Sequence, residues 1–337
     1  VQGYLCSCGG QLTWVPQYQR WYCYKCNKYA GSKGADKRTK TDEEIREAIM
    51  KIDEKLSKEE RGKLISEIIS WLELPSEPDK KKILGTRTKE TIEIISRKAE
   101  ELDISGELNL SSDAYLSLGT YYYGEGDLKR GREFFEKSIK KNPDNINGWY
   151  GKGLTYNFKK KRDERELEDA LKCYDKVLSM NGRHVRALCC KASDLRVFGR
   201  RKEARECVER ALSIDGNYAD AWFVKGVIAD DEGKTDEAKI CYDKAILLEA
   251  EHGDARTNKA RLLIMEGKNS EALVLLDSAI STDENNADAW NNKGVALFNL
   301  GRITEALECF EKALLIDPTH EDAKSNLLAW ERSKSMS

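Results

Sequence analysis

ADAWNNKGVALFNLGRITEALECFEKALLIDP, residues 287–318, is the stretch that decides the fold of this chain. Its small residues fall at Gly294, Ala306 and Ala313, and its large ones at Trp290 and Phe310. Stepping backward recovers the same pattern five more times. Small residues recur at Gly119, Gly153, Ala192, Gly226, Ala260 and Gly294, in steps of 34, 39, 34, 34 and 34. A second series runs Gly131, Ala170, Ala204, Ala238, Ala272 and Ala306, and a third Ser138, Val177, Ala211, Ala245, Ala279 and Ala313. Large residues precede the first series by four (Tyr115, Trp149, Leu188, Trp222, Arg256, Trp290) and follow the second by four (Phe135, Tyr174, Val208, Tyr242, Leu276, Phe310). A fixed period of this length marks stacked supersecondary units. The columns predict two helices per unit, with small residues at close approaches and large ones filling the holes between them. Pro143 and Pro318 mark ends of second helices, where proline cannot continue the turn. In GKTDEA (233–238), Thr235 or Asp236 is expected as a helix N-cap with Glu237 in the first turn, and GRITEA (301–306) repeats that chemistry.

These columns resemble the tetratricopeptide repeat family, whose pattern is W-x2-L-G-x2-Y followed by Ala, Phe, Ala and Pro at fixed offsets. The resemblance covers residues 112–320, with residues 287–318 matching best and repeat 5 departing most, at Arg256 and Ala260. It implies an all-α fold, a right-handed solenoid of six repeats, with residues 321–337 forming a cap helix and tail over the uncovered last repeat. Five extra residues fall in repeat 2, within NFKKKRDERELED (157–169), as a surface insertion or a partner-contacting protrusion.

In that family the first helices line a concave surface that binds ligand. Carried onto this sequence, the groove would hold Tyr123 from repeat 1, and Tyr150, Asn157 and Phe158 from repeat 2. Later repeats would add Arg186, Arg196, Phe223, Asn258, Arg261, Asn291, Asn292 and Phe298. The aromatics suit apolar anchors, the asparagines a peptide backbone and the arginines carboxylates. The Lys and Arg set with which some family members clamp a terminal carboxylate is not present together.

The amino-terminal 30 residues carry a different chemistry. Cys6-x-Cys8 and Cys23-x2-Cys26 are separated by fourteen residues, a spacing that lets four thiolates meet on one tetrahedral Zn2+. QLTWVP (11–16) and QRWYCY (19–24) read as the strands of a hairpin between the two pairs. A module this small has no sufficient core of its own, so the metal would supply its stability. Residues 1–30 resemble short zinc ribbons attached to archaeal proteins, with C-x-C standing where those ribbons have C-x2-C. Residues 1–40 hold seven Lys/Arg, one acid and seven aromatics, a mixture that suits single-strand nucleic acid as well as a protein-docking surface. Contact with RNA or the ribosome is therefore the alternative function for this module.

Residues 31–40 read as a linker, and 41–111 as a helical region that docks on the first repeat, with a free partner-binding helical hairpin as the alternative. Within it, residues 57–74 place Leu64, Ile65, Ile68, Ile69 and Leu72 on one face, and residues 88–104 form a further helical stretch.

The net charge of −2 gives the whole molecule no bulk attraction to nucleic acid or an anionic membrane. No apolar run is long enough to span a bilayer, and the start lacks a signal-peptide pattern, so a cytoplasmic protein is expected. No phosphate-cradling glycine motif is present. His184, His252 and His320 are two repeats apart and read as loop residues, while Cys173, Cys207, Cys241 and Cys309 share one packing position. The expectation is an interaction scaffold binding another protein, without catalysis and without a small-molecule substrate.

Overall fold

The computed structural model describes residues 12–15, 20–23 and 28–30, where only the backbone is considered, and residues 110–156 and 164–335. The first group forms strands β1 (Leu12–Val15), β2 (Arg20–Cys23) and β3 (Lys28–Ala30). They pair antiparallel in the order β1-β2-β3, with Leu12 opposite Cys23 and Cys23 opposite Lys28. Cys6, Cys8 and Cys26 and the region 41–109 lie outside the described residues, as do Asn157 and Phe158.

The remaining described residues build helix pairs. Repeat 1 is α1 (Ser112–Gly124) and α2 (Leu128–Lys141), and repeat 2 is α3 (Ile146–Leu154) and α4 (Glu164–Met180). Repeat 3 is α5 (Val185–Val197) and α6 (Arg201–Ile214), and repeat 4 is α7 (Ala219–Asp231) and α8 (Thr235–Leu248). Repeat 5 is α9 (Gly253–Met265) and α10 (Asn269–Thr282), repeat 6 is α11 (Ala287–Asn299) and α12 (Ile303–Ile316), and α13 (Glu321–Ser335) follows. Part of the insertion in repeat 2 lengthens a helix: α4 has 17 residues where the other second helices have 14.

The small-residue columns lie where the helices approach. Ala170, Ala204, Ala238, Ala272 and Ala306 are all fully buried. A Cβ added at Gly153, Gly226 or Gly294 would stand 2.5–2.6 Å from a ring carbon of Tyr174, Tyr242 or Phe310 in the same repeat. Where the glycine becomes Ala192 or Ala260, the facing residue shrinks to Val208 or Leu276, so one column compensates the other. Changing Ala238 to Leu should therefore overpack α7 against α8 and cost about 1–3 kcal/mol in chemical denaturation. A loss below the low end of that range would mean the column does not mark a close approach.

The turns inside repeats 4 and 6 depart from the sequence expectation. Gly126, Gly199, Gly233, Gly267 and Gly301 sit at φ between 74° and 82°, where a side chain is strained. After the last four of these the next residue bonds back across the helix end, as Lys234 N donates to Ala229 O at 2.9 Å. The following helix starts at once, so the N-cap is Lys234 and no side chain caps it; Thr235 and Asp236 are already helical. Arg302 holds the same place before α12 and instead grips Glu305 at 2.7 and 2.5 Å.

Between repeats, the indole N–H of Trp149, Trp222 and Trp290 donates to a carbonyl six residues earlier, at 2.8–2.9 Å. Arg256 makes the corresponding bond to the Ala250 carbonyl, which explains how repeat 5 tolerates a cation in the aromatic column. Lys152, Lys191, Lys259 and Lys293 each pair with an acid on the preceding second helix (Glu136, Asp175, Asp243, Asp277) at 2.5–2.9 Å. Each exposed pair is worth little alone, on the order of 0–1 kcal/mol, but the set fixes the register of one repeat on the next.

Candidate functional site: the concave face

Adjacent first helices contact one another (α1 with α3, α5 with α7, α7 with α9, α9 with α11), whereas adjacent second helices make no comparable contact. A stack that closes on one side curves toward it, so the first helices line the concave face.

On that face the arginines are engaged within the chain. Arg196 donates to Asp231 at 2.8 Å, and Arg261 pairs with Asp230, each across a repeat boundary. A partner carboxylate would have to compete with these acids. Arg186 is half-buried near Tyr150 and Tyr218. Asn258 and Asn292 are half-buried on the same face.

Several expected anchors turn out to be packing residues. Tyr123, Tyr150 and Asn291 are buried. Tyr150 lies against Tyr174 and His184, with its hydroxyl 3.7 Å from Cys190 Sγ, and burial raises its pKa well above the usual phenol range. Asn291 accepts from Asn326 of α13 at 3.0 Å. Phe223 is half-buried, its ring 6.1 Å from Tyr242 and 5.0 Å from His252. The helical phase alone does not separate these positions from the open ones, because the ring of one repeat reaches into the boundary with the next.

Phe298 does stay open. It is 42% exposed and meets Trp330 of α13 edge-on at 6.3 Å. Ile264 occupies the same repeat position one unit earlier and is half-buried, and Met265 beside it is 72% exposed. The position thus runs Arg196, Asp230, Ile264, Phe298: charged in the middle of the array and apolar toward its C-terminal end. The 34-residue period was sufficient to place Ile264 in this series; Trp330 belongs to the cap helix, outside the repeat, and only the packing of α13 brings it to Phe298.

The histidines are not plain loop residues. His184, His252 and His320 are N-caps of α5, α9 and α13, their Nδ1 accepting from Ala187, Ala255 and Ala323 N–H at 3.1, 3.3 and 3.3 Å. Asn145 and Asn286 hold the same position before α3 and α11 and cap with the side-chain oxygen. His252 and His320 are buried, with Nε2 3.4 and 3.0 Å from Asp220 and Asp288. An imidazole with Nδ1 unprotonated is thus an asparagine substitute here, and the three rings stand in three separate repeat boundaries. Burial pushes the thiols of Cys173 and Cys309 up to about 11 and that of Cys190 up to about 12, so these cysteines are protonated packing residues. Among the described residues no helix is long and apolar enough to cross a membrane.

Paired helices stacked around a concave face of first helices define a repeat scaffold. Residues 112–145, 219–252 and 287–320 match family models described as tetratricopeptide repeat, so the chain carries repeats of that type. Among solved structures, a tetratricopeptide repeat protein from Parabacteroides merdae is 18% identical, covering 70% of this chain and 91% of its own, with a TM-score of 0.58. The APC/C hetero-tetramer Cut9–Hcn1 is 14% identical over 84% of this chain and 54% of that one, with a TM-score of 0.60. YrrB, described as a TPR protein with an unusual peptide-binding site, is 26% identical over 58% of this chain and 98% of its own, with a TM-score of 0.39. No curated protein matches the sequence. The first two likenesses establish the architecture; repeats of this kind generally mediate contacts between proteins.

Proposed function

We propose that the chain is a scaffold whose concave face receives a segment of another protein, anchored by an apolar side chain at the C-terminal end of the groove. The observation that carries this reading is the exposed ring of Phe298, which meets Trp330, with Ile264 at the same position one repeat earlier and the exposed Met265 beside it. Toward the middle of the groove the pairs Arg196–Asp231 and Arg261–Asp230 offer both signs of charge to a polar segment.

The test is affinity capture by the full chain from its native cells, with mass spectrometry, comparing wild type with two variants. Phe298→Ala should weaken a partner that inserts an apolar group by a hot-spot amount, on the order of 2 kcal/mol or more. The triple change of Arg186, Arg196 and Arg261 to Ala should weaken an acidic partner. If both variants keep every partner, and deletion of residues 1–40 loses them, binding belongs to the amino-terminal module and the groove reading fails.

For that module we propose a structural Zn2+ held by Cys6, Cys8, Cys23 and Cys26. Four thiolates are a usual donor set for structural zinc. The antiparallel run β1-β2-β3, with Cys23 ending β2, supports the reading. The module would offer a second protein-contacting surface; binding to RNA that falls steeply with added salt would favour the nucleic-acid alternative.

A further inference from the structure

Repeat 1 breaks the pattern of its neighbours on the side that faces the amino terminus. Where later first helices carry the ion-paired Lys152, Lys191, Lys259 and Lys293, α1 carries Leu118. Where later second helices carry Cys173, Cys207, Cys241 and Cys309, α2 carries Phe134. Phe134 stacks on Tyr122 with ring centroids 5.5 Å apart and planes 3° from parallel, and on Tyr115 at 6.3 Å. Together these four residues make an apolar, aromatic face.

In every later repeat a preceding second helix lies on this side. The principal described neighbours of α1 are α2 and α3. Even so, Leu118 is 0% exposed and Phe134 2%, and Tyr115 and Tyr122 are buried as well. The equivalent Trp290 and Lys293 of repeat 6 are only half-buried, although α10 lies against them. Such burial at the end of a stack is what a covering helix would give.

We propose that residues 88–104 supply that cover, standing in for the second helix of a preceding unit. Ile92, Ile95, Ala99 and Leu102 fall at i, i+3, i+7 and i+10, one face of a helix, and would lie on Leu118, Phe134 and the two tyrosines. The segment ends at Ile104, with seven residues between it and α1, and the connections from second to first helices elsewhere are four residues, as from Thr282 to Ala287. Consecutive elements joined by so short a link normally pack together. Charge leans the same way: Arg130 and Lys137 lie over the rings of Tyr122 and Phe134, at 5.4 and 5.2 Å, and the segment carries Glu90, Glu93, Glu100, Glu101 and Asp103 against Lys89, Arg97 and Lys98. The cover closes the amino-terminal end of the array, which otherwise presents a sticky face to a second copy of the chain.

The test uses the full chain. Hydrogen exchange of residues 112–124 is measured in wild type, Ile95→Asp and Ile68→Asp, with residues 287–316 as the internal control. Ile95→Asp should speed exchange in α1 at least tenfold and produce self-association in sedimentation, leaving the control unchanged. Ile68→Asp, in the other apolar segment, should leave α1 as it was. The reverse result assigns the face to residues 57–74 and overturns the proposal, and so does no change in either variant. Because a charged substitution can disturb folding, a second variant pairs Ile95→Cys with Leu118→Cys; peptide mapping should find them joined by a disulfide after mild oxidation, and absence of that crosslink also overturns the proposal.

Discussion

Replacing Phe135 by Ala should destabilise the repeat array by about 3–5 kcal/mol, the usual cost of truncating a buried aromatic. Phe135 is 0% exposed and serves two repeats at once. A Cβ on Gly119 of its own repeat would stand 2.7 Å from the ring, and one on Gly151 of the next repeat 2.6 Å. Both neighbours have already given up their side chains to admit the ring, so neither can grow into the space it leaves. The rest of the surrounding cluster, Tyr123, Tyr150, Leu154 and Tyr174, is buried and packed. In a stacked array, stability is a sum of units and nearest-neighbour interfaces. The loss should thus concentrate in repeats 1 and 2, with exchange protection falling in α1–α3 well before α11–α12. Urea denaturation with site-resolved exchange is the measurement. A loss under about 1 kcal/mol, or one spread evenly over six repeats, would show that the ring is not the bridge between the first two units.

Removing zinc is expected to have the larger local effect. Structural zinc in finger peptides contributes on the order of 10–16 kcal/mol of apparent binding free energy, and in a module without its own core that is folding free energy. Protein purified without added metal should contain one zinc per chain. A strong chelator, or Cys23→Ser, should abolish the protection of β2 while the melt of the repeats stays in place, because the repeats are held by buried clusters formed among themselves. A chain free of zinc, or a Cys6–Cys8 disulfide found by peptide mapping, would remove the metal from the account.

Much of the repeat architecture was legible in the chain itself, for a plain reason. A helix pair repeated six times samples the same packing problem six times, so close approaches show as columns of Gly and Ala and filled holes as columns of large residues. Gly153, Gly226 and Gly294 face Tyr174, Tyr242 and Phe310 at distances only glycine permits, and the period already paired them. The compensation of Ala192 by Val208 and of Ala260 by Leu276 is written in the same columns.

The groove was less legible. The period places a residue on the concave side, but exposure there depends on how far the neighbouring repeat's side chains reach. Tyr150 and Asn291 are on the right helices and are buried by His184 and by Asn326. Phe298 remains 42% exposed, meeting Trp330 edge-on at the C-terminal end of the array. Arg196 and Arg261 meet Asp231 and Asp230, 35 and 31 residues away, through the curvature of the stack. Likewise the histidines read as loop residues in the sequence, and only the approach of Nδ1 to a backbone N–H makes them helix caps. Local periodicity and residue size settled which helices form and how they stack. Which charges are already satisfied, and which apolar ring is left for a partner, was decided between repeats, by contacts that cross a repeat boundary.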